Sequence, residues 1–441
     1  MEVNTQARDT APGHIFVAPE WGGSIQGGPM IVDDRGQVVW FRPQQRDGTF
    51  ARDFKVQHYR DEPVLTWWEG FLGGPSNEYV ILDSSYQEIT RFRAGNGYRA
   101  DHHEFLITPQ DTALILIYDA VRRDLSSIGG LKGGVVWQGI VQEIDIETGE
   151  VIFEWHSLEH VGLDETYAKP PNDALPGIDY FHINSIDIDH DGNLLVSARE
   201  TFTVYKIARK SGEVIWRLGG KKSDFEMGPD TRFAYQHDAR RQRDGTITIF
   251  DNGTTVFDNG LPRAVEEARC IVLKLDEDEM VATLVRQYTH PDKQFAHAGG
   301  NMQTLPNGNV FVGWGRALVL SELSSDGELL FDASLPPKNN TYRAFRFPWS
   351  GHPSDQPAAT AEHTSEDEVK VYASWNGATE VATWEVIAGS SPDRTRPLGS
   401  VPRDGFETAI TVHTAKPYVA VQAKNSSGRV LGTSKALKPR S

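Results

Sequence analysis

The sequence predicts an all-β protein, built as a six-bladed β-propeller and followed by a small C-terminal β-sandwich of the immunoglobulin or fibronectin type. Helical periodicity is nearly absent, while 41 glycines and 24 prolines punctuate short runs of β-branched and aromatic residues. Two kinds of strand segment alternate along most of the chain. A change of composition near residue 350 then separates a second set of short strands, which predicts a second domain.

The first kind of segment is a turn followed by a strand rich in β-branched and aromatic residues. It recurs at Gly36–Phe41, Gln87–Phe92, Gly149–Trp155, Gly212–Arg217, Met280–Val285 and Gly327–Phe331. Intervals of roughly 50 to 65 residues are typical of propeller blades with long loops. We therefore expect one blade for each copy.

The second kind of segment is a hairpin with a turn near its middle. It occurs at Phe54–Trp67, His103–Tyr118, His182–Ser197, His237–Phe250 and Ala298–Trp314. Alternation of the two kinds predicts four strands in each blade, the arrangement of a propeller. For the sixth blade we expect the strand Tyr342–Phe347 to pair with an N-terminal strand such as His14–Ala18, because a closed ring leaves no sheet edge exposed.

These patterns divide the chain into a propeller over residues 1–350, a linker over 351–364 and a sandwich over 365–441. The linker is rich in proline, serine, alanine and glutamate. Short strands with turns between them predict the sandwich; they are Val369–Trp375, Ala382–Ala388, Thr408–Val412, Pro417–Ala423 and Gly428–Gly432. We expect it to serve as a packing or interaction module without chemistry.

Composition excludes several classes of function. Lys and Arg number 44 against 61 Asp and Glu, a formal charge of −17, which argues against binding to a nucleic-acid backbone. No run approaches 18 consecutive apolar residues, so no membrane-spanning helix is expected. The single cysteine, Cys270, rules out an intramolecular disulfide or a cysteine-based metal or redox site, and its strand context predicts a buried structural thiol.

Three N-glycosylation sequons begin at Asn252, Asn339 and Asn425, where turns or loops are expected. They predict a glycoprotein of the secretory pathway. No signal peptide is visible, and we expect the polar opening Met1–Thr5 to follow one that has been removed.

Candidate chemistry centres on four histidines that begin or immediately precede hairpins of the second kind: His103, His182, His237 and His297. In a propeller the equivalent end of each innermost strand faces the central channel, so these residues can converge although they are distant in sequence. For any one of them alone, a strand-end histidine bonded to the backbone is the simpler interpretation. Because these histidines recur at equivalent positions of the repeat, we favour a shared functional role for the four of them.

Other polar residues can line the same channel. His182 and Asn184 share one face of a strand by the two-residue period, and Arg199 ends the returning strand with a guanidinium suited to a sulfate, phosphate or carboxylate. Asp238 adjoins His237 but points to the other face, so we expect it to support the backbone. We predict no metal site, because no His-x-His pair lies within one strand and no carboxylate lies at ligand spacing beside the histidines.

Several motifs, taken in order, resemble those of the arylsulfotransferase family, most closely its fungal branch. They are Asp101–Phe105, His182–Ser185, Ser197–Arg199, Trp216–Gly220, Gln236–Ala239, Gly300–Gln303 and Trp375–Thr379. The resemblance covers nearly the whole chain. It implies a six-bladed propeller that moves a sulfuryl group from an aryl sulfate to a phenol by a ping-pong route through a sulfated histidine, without a nucleotide donor.

Carried over to this sequence, the resemblance makes His237 the nucleophile, with His103, His182 and Arg199 holding the sulfuryl oxygens and Asn184 assisting. The disulfide of the bacterial enzymes cannot form with one cysteine. No cofactor is expected, since Gly219–Ser223 lacks the spacing of a phosphate-binding loop. Further residues expected to contact the substrate are His102, His297, Asn301, Trp67 and Trp314; for the two tryptophans, packing between blades is an equally good interpretation.

Two alternatives use the same pocket. A non-redox cyclase or cycloaddition enzyme of the Diels–Alder type, acting in secondary metabolism, needs only proximity, an oriented donor and a shaped cavity. A ligand-binding propeller without catalysis is the other. In each case the expected partner is an aromatic small molecule, phenolic or quinone-like, and the sequence does not indicate an oligomeric state.

Overall fold

The computed structural model describes residues 1–20, 26–44, 48–74, 76–171, 177–253, 256–258, 261–263 and 267–440, with only the backbone described at 256–258 and 261–263. Strands account for 49% of the structure and helices for 3%, which confirms the all-β prediction. The helical segments are α1 (Ser157–His160) and the 3-10 turns Ser126–Ile128, Leu163–Glu165 and Gly315–Ala317. In the described ranges no helix has the length and apolar character needed to cross a membrane.

The described residues up to Phe347 form six large sheets, numbered here by the order of their first strands. The chain opens with β1 (Glu2–Thr5), β2 (His14–Val17), β3 (Met30–Val32) and β4 (Val38–Phe41). Sheet 1 contains β5 (Phe50–Tyr59), β6 (Glu62–Gly70), β7 (Glu78–Leu82) and β8 (Glu88–Phe92). Sheet 2 contains β9 (Phe105–Ile107), β10 (Thr112–Arg123), β11 (Gly134–Asp145) and β12 (Val151–His156), with β13 (Ile178–Asp179) parallel to β11.

Sheet 3 contains β14 (Ile183–Ile188), β15 (Leu194–Ala198), β16 (Thr203–Ile207) and β17 (Val214–Gly219). Sheet 4 contains β18 (Glu226–Met227), β19 (His237–Arg241), β20 (Ile247–Asp251), β23 (Arg269–Asp276) and β24 (Val281–Thr289), and the hairpin of β21 (Val256–Asp258) and β22 (Leu261–Arg263) interrupts it in sequence. Sheet 5 contains β25 (Asn301–Thr304), β26 (Val310–Gly313), β27 (Val319–Leu323) and β28 (Leu329–Ser334), with β1 beyond β28. Sheet 6 has the order β29 (Ala344–Phe347), β2, β3, β4.

Both kinds of predicted segment have a fixed place in these sheets. The hairpins of the second kind supply the two inner strands of sheets 1 to 5, from β5–β6 to β25–β26. Segments of the first kind supply the fourth strand of every sheet, namely β8, β12, β17, β24, β28 and β4. The alternation in the sequence therefore marks the inner and outer halves of each sheet.

The sixth sheet joins the two ends of this region. Strand β29 pairs antiparallel with β2, so that Phe347 lies opposite His14 and Ala344 opposite Val17. The predicted pairing of residues 342–347 with an N-terminal strand is confirmed. Each sheet contacts the next through its inner strands, and β29 contacts β5, so sheet 6 lies against sheet 1.

Apolar side chains fill the space between consecutive sheets. Phe16, Phe54 and Trp67 pack together between sheets 6 and 1, and Phe250 and Trp314 pack between sheets 4 and 5. Both tryptophans are 0% exposed. Burying one large apolar side chain stabilises a fold by about 1.5–3 kcal/mol, so these residues are part of what holds adjacent sheets together.

Ionic side chains from several sheets meet between the inner strands and are buried. Glu104 accepts hydrogen bonds from Lys55 Nζ (2.6 Å), Arg343 Nη1 (3.0 Å) and Arg240. Asp53 pairs with Lys55 (2.7 Å) and Arg343 (2.9 Å). We call these five residues the channel ion cluster. Because its charges pair with one another inside the protein, the cluster ties sheets 1, 4 and 6 to the segment that precedes sheet 2.

β-Bulges change the direction of two of the inner strands. The register of β5 shifts between Arg52 and Lys55, and that of β19 shifts between His237 and Arg240. The bulged residues Asp53 and Asp238 have positive φ of 57° and 55°. A bulge bends its strand and redirects neighbouring side chains.

Asp238 supports the backbone, as predicted. Its carboxylate accepts a hydrogen bond from Met302 N–H (3.0 Å) and pairs with Arg240 (2.8 Å). The ring of His237 hydrogen-bonds to Asn252 and not to Asp238. The carboxylate therefore ties β19 to β25 instead of forming a dyad with its sequence neighbour.

Two further sheets follow residue 350. One has the order β30 (Ala358–His363), β31 (Glu368–Ser374), β34 (Glu407–His413), and the other β33 (Thr395–Pro402), β32 (Thr383–Gly389), β35 (Tyr418–Lys424), β36 (Val430–Thr433). A common apolar core includes Val371, Trp384, Ile410 and Val421, which come from both sheets. The prediction of a linker over 351–364 is wrong in its second half, because 358–363 form β30 and pair with β31.

The C-terminal part docks on sheet 6 and sheet 1. The amide of Asn376 accepts from Phe41 N–H and donates to Phe41 C=O, both at 2.9 Å, and Gly377 N–H donates to Val39 C=O (2.8 Å). Tyr86 O–H donates to Gly377 C=O (2.7 Å). These bonds cover the edge strand β4, which would otherwise present unpaired backbone groups.

The sequons differ in exposure. Asn252 and Asn339 are 2% and 3% exposed, and their amide nitrogens donate to backbone carbonyls, so the folded chain has no room for a glycan on either. The glycosylation predicted at these two positions is therefore corrected. Asn425 lies half-buried in a turn, where its Oδ1 accepts from Ser427 N–H (3.1 Å).

Cys270 is buried, as predicted, and burial raises the pKa of its thiol well above the usual value.

Candidate functional site

A cavity of about 200 Å³ opens between the inner strands, and four of its lining residues are histidines. Its walls also carry two arginines and a tyrosine. The lining residues are Glu20, Arg52, His102, His103, His182, His237, Ala298, Gly299, Arg316, Asn340, Thr341 and Tyr342. The cavity brings together three of the predicted hairpin histidines, together with the neighbouring His102, from positions up to 135 residues apart in the chain.

His237 is the first residue of β19 and is 1% exposed. Its Nδ1 lies 2.7 Å from Oδ1 of Asn252 and 3.1 Å from Tyr235 C=O, while its Nε2 accepts a hydrogen bond from Gly299 N–H (3.3 Å). Both neighbours of Nδ1 are oxygen acceptors, so Nδ1 carries the proton and Nε2 the lone pair. Burial, with Arg199 nearby, lowers the pKa of His237 well below its ordinary value, which keeps the imidazole neutral.

His103 is oriented by an aspartate. Its Nδ1 lies 2.5 Å from Oδ1 of Asp101, and its backbone N–H donates to the same oxygen (2.9 Å). Burial lowers the pKa of His103 to about 3 despite the carboxylate. The ring is therefore neutral, donates through Nδ1 and keeps the lone pair of Nε2.

His182 has the same kind of partner. Its Nδ1 lies 2.5 Å from Oδ2 of Asp179, and its backbone has a positive φ of 53°, a conformation uncommon for a side chain of this size. Its ring centroid is 5.2 Å from that of His103. Arg199 N–H donates to His182 C=O (2.9 Å), which holds the end of β15 beside this histidine.

His102 completes the histidine group. Its ring lies against that of His103, tilted by 33° with centroids 3.9 Å apart, and meets Trp68 edge to face at 5.6 Å. Asp101, His102 and His103 form the one group of His, Cys, Asp or Glu that is dense enough to hold a metal ion in the described ranges. The premise that no carboxylate lies at ligand spacing beside the histidines is thus wrong. Asp101 already accepts from the His103 ring, and its other oxygen lies 3.3 Å from His102 Nδ1.

Cationic side chains approach the cavity from three sides. Arg52 lines it from β5 and pairs with Glu20, and Arg316 lines it from the 3-10 turn after β26 and is exposed. Arg199 stands beside the cavity: its guanidinium lies 4.8 Å from the Tyr235 ring and pairs with Glu200. Within the described residues, its buried Nε has no hydrogen-bond partner.

Tyr342 forms one wall and touches most of the site. Its ring centroid lies 5.5 Å from that of His103 and 6.2 Å from that of His237, and the Arg52 guanidinium is 5.9 Å away. Its hydroxyl donates to Asn184 C=O (3.3 Å). The next residue, Arg343, belongs to the channel ion cluster, so the cavity lies directly beside that cluster.

The other predicted contact residues lie elsewhere. Asn184 is buried and donates to Gln236 C=O (2.7 Å), and Asn301 is buried and bonds Ala344 through both amide atoms. His297 is exposed, and its ring centroid lies 6.2 Å from that of Phe295 in a tilted arrangement. Trp67 and Trp314 pack between sheets. None of these five lines the cavity, so for Asn184, His297, Asn301 and the two tryptophans direct contact with a substrate stays a prediction that the lining of this cavity does not support.

Sequence reasoning missed Arg52, Tyr342, Arg316 and the ring partners Asp101, Asp179 and Asn252 as members of the site. A signal existed for two of them. Arg52 and Tyr342 lie near the beginning of inner strands, the same place as the histidines. Their residue types do not recur at that place, so the repeat does not single them out. Arg316 lies in an isolated turn that no repeat marks.

Comparison with known proteins gives three kinds of result. Among solved structures the chain is similar to a protein of unknown function from Bacteroides caccae, at 15% identity over 76% of this chain and 100% of that one, with a TM-score of 0.44. A streptogramin B lyase is similar at 10% identity over 95% and 94% of the two chains (TM-score 0.35), and virginiamycin B lyase from Staphylococcus aureus at 8% identity over 85% and 96% (TM-score 0.38). Likeness this distant carries no argument about activity. No curated protein matches the chain.

The family comparison is decisive. The model of the arylsulfotransferase (ASST) family matches residues 55–335, more than half of the chain. The matched region runs from β5 to the end of β28, and it contains His103, His182, Arg199 and His237. The chain belongs to the arylsulfotransferase family.

Proposed function

We propose that this protein transfers a sulfuryl group from an aryl sulfate to a phenol through a covalent intermediate on His237. One observation carries the proposal: a buried, neutral imidazole lines the cavity with its Nδ1 committed to Asn252, so that its Nε2 keeps a lone pair. An imidazole nitrogen in this state is a competent nucleophile. Membership of the arylsulfotransferase family supports the reaction class.

In the first half-reaction, Nε2 of His237 gives up its hydrogen bond from Gly299 N–H and attacks sulfur. An N–S bond forms, the S–O bond to the aryl group breaks, and the phenolate departs with the bonding electron pair. Charge accumulates on the sulfuryl oxygens and on the departing oxygen. Arg52, Arg316 and Arg199 surround the cavity with fixed positive charge, which stabilises both.

In the second half-reaction, a phenol oxygen attacks the same sulfur and the N–S bond breaks, which restores His237. The phenol must lose its proton. His103 is neutral, donates through Nδ1 to Asp101 and so has Nε2 free to take that proton. The resulting imidazolium would donate to a sulfuryl oxygen, the role expected of His103 from the family resemblance. His182, held in the same way by Asp179, is placed to act beside it.

The surrounding fold suits this chemistry. We propose that sheets 1 to 6 are the blades of a six-bladed propeller over residues 1–350 and that the two later sheets form a β-sandwich. Each sheet contacts the next and sheet 6 contacts sheet 1, which, with the pairing of β29 and β2, supports the propeller. A core shared by both later sheets supports the sandwich. The cavity then lies at one end of the propeller channel, and the channel ion cluster closes that channel beside it.

Cavity size favours sulfuryl transfer over the alternatives. A volume of about 200 Å³ lies below the ~300–1,000 Å³ typical of sites for drug-sized ligands. It suits a sulfated single ring better than a flexible precursor that must fold on itself. The lining of histidines and arginines also matches an anionic group better than an apolar diene.

Two-substrate kinetics test the proposal. With a chromogenic aryl sulfate as donor and a phenol as acceptor, initial rates should give parallel double-reciprocal plots, and no nucleotide sulfate should be needed. Product from a reactive precursor in the absence of any sulfate donor would favour the cyclase. Tight binding of the aryl sulfate without turnover would favour a ligand-binding role.

A further inference from the structure

Asn252 follows β20, lies at the Nδ1 edge of the His237 ring and is not among the residues that line the cavity. It is 2% exposed. Its Nδ2 donates to Ala296 C=O (2.7 Å) and to Gly299 C=O (2.8 Å), and its Oδ1 faces His237 Nδ1 at 2.7 Å. Both donors and the acceptor of the amide are therefore used.

The hydrogen bonds determine which way the amide points. Carbonyl oxygens only accept, so the nitrogen of the amide must face Ala296 and Gly299. The oxygen must then face His237, and Nδ1 of the ring must donate. This network leaves one tautomer, with the proton on Nδ1 and the lone pair on Nε2.

Asn252 also holds the loop on the other side of the ring. Gly299 has a positive φ of 69°, lines the cavity and directs its N–H to Nε2 at 3.3 Å. Because Asn252 binds the carbonyls of Ala296 and Gly299, one side chain sets the position of the imidazole and of the loop that faces its Nε2.

We propose that Asn252 is the positioning residue of the nucleophile: it fixes the Nδ1–H tautomer of His237 and thereby presents the Nε2 lone pair to sulfur. The catalytic consequence rests on the proposed function, whereas the choice of tautomer does not. A neutral amide suits this position, because a carboxylate here would raise the pKa of His237 and stabilise the imidazolium, which has no free lone pair. It would also stabilise the positive charge of the sulfated ring and slow the second half-reaction.

The charged groups around His237 determine how strongly a carboxylate at position 252 would change the pKa of His237. The groups that face it are Arg199 from the turn after β15, His103, His182 and Tyr342. Arg199 disfavours the imidazolium, and none of these four groups is an anion. A carboxylate at 252 would place an anion against Nδ1 of this ring.

The test combines histidine NMR with kinetics on the full-length chain. Uniformly ¹⁵N-histidine-labelled protein is titrated, and the His237 signals are assigned by their loss in His237→Asn. In the wild type we expect Nδ1 protonated and Nε2 unprotonated at neutral pH. Asn252→Asp should raise the pKa of His237, so that sulfuryl transfer falls at neutral pH and recovers as pH rises. Asn252→Ala leaves Nδ1 with the longer contact to Tyr235 C=O (3.1 Å), so it should loosen the ring and lower kcat by about 10- to 100-fold, the size of loss seen when a residue that orients a metal-ligating histidine is removed.

Asn77→Asp is the matched control, since Asn77 is buried and binds backbone through both amide atoms but lies away from His237. It should leave the His237 signals unchanged. A wild-type spectrum with the proton on Nε2, or an unchanged kcat and pH profile in both Asn252 variants, would overturn the proposal. Should the Asn252 variants change the His237 signals while the wild type transfers no sulfuryl group, the positioning by Asn252 stands and the proposed reaction fails. If the Asn252 variants do not fold, the wild-type spectrum alone still decides the tautomer.

Discussion

Nδ1 of His103 lies 2.5 Å from Oδ1 of Asp101, two residues earlier in the chain. The adjacent backbone N–H of His103 donates to the same oxygen, so one carboxylate orients both the ring and its peptide. Burial by itself raises the pKa of Asp101, but His103 and His102 hold it well below its usual value. The pair therefore stays an ionised carboxylate beside a neutral imidazole, which leaves Nε2 of His103 free to accept a proton.

Asp101→Asn tests this assignment. The new amide can offer an N–H to Nδ1 of His103, which would move the ring proton to Nε2 and remove the base. We expect the second half-reaction to slow by about 10²- to 10⁴-fold, the usual worth of a general base, while the first changes less. Single-turnover reaction of the sulfated enzyme with a phenol measures this. Asp124→Asn, at an exposed turn, is the control, and an equal loss in both half-reactions would argue against a base role.

The pH dependence of the first half-reaction follows from His237. Burial lowers its pKa well below the ordinary value, so the ring stays neutral as pH falls through about 6.5, where an exposed histidine gains its proton. The burst of phenolate from an aryl sulfate should therefore keep its rate from pH 8 down to about pH 6, and fall only in more acid solution. A tenfold loss per pH unit beginning near neutrality would show that His237 titrates normally.

Arg316 provides a test of substrate binding that leaves the fold intact, since it is exposed and lines the cavity. Arg316→Met should raise KM for the aryl sulfate by roughly three- to tenfold, as expected for loss of an exposed charge contact worth ~1 kcal/mol. Arg60→Met removes an exposed arginine far from the cavity and should leave KM unchanged. Equal KM values for both variants would place the sulfate away from Arg316.

Glu104 tests the channel ion cluster. Burial opposes its ionisation, but Arg240, Arg343 and Lys55 hold its pKa well below the usual value. Glu104→Gln leaves these cations short of a counter-charge, and we expect the free energy of unfolding to fall by about 3–5 kcal/mol in a denaturant titration. The contribution is present above the ordinary carboxylate range and is lost as pH falls through the depressed pKa.

The control for Glu104 is Glu147→Gln, which breaks an exposed pair with Arg60. It should change the free energy of unfolding by less than about 0.5 kcal/mol. Similar losses in the two variants would mean that the buried cluster contributes no more than a surface pair.

Repetition made most of this fold predictable. Inner hairpins and outer strands recur with the same order, and the closure by β2 followed from the need to cover sheet edges. Strand β33 (Thr395–Pro402) was missed because Pro397 and Pro402 argue against a strand. It tolerates them because it lies at the edge of its sheet, where a missing N–H costs no ladder bond.

The site was only partly predictable for a different reason. His103, His182 and His237 share a place in the repeat, so recurrence finds them. Asn252 comes from a loop after β20, and its sequon favoured an exposed residue, whereas its burial depends on the loop that carries Ala296 and Gly299. A contact between segments that are distant in sequence leaves no local signal when its residues do not occupy a position that recurs in the repeats.

Covalent transfer through His237 is tested most directly by mass spectrometry of the enzyme after incubation with an aryl sulfate alone. The account predicts one added sulfo group, on the peptide that contains His237, labile in acid and discharged by adding a phenol. His237→Asn should fold, gain no sulfo group and lose turnover, since a carboxamide nitrogen is a poor nucleophile. Steady sulfuryl transfer by the wild type without any such adduct, or near-normal turnover in His237→Ala, would contradict the account.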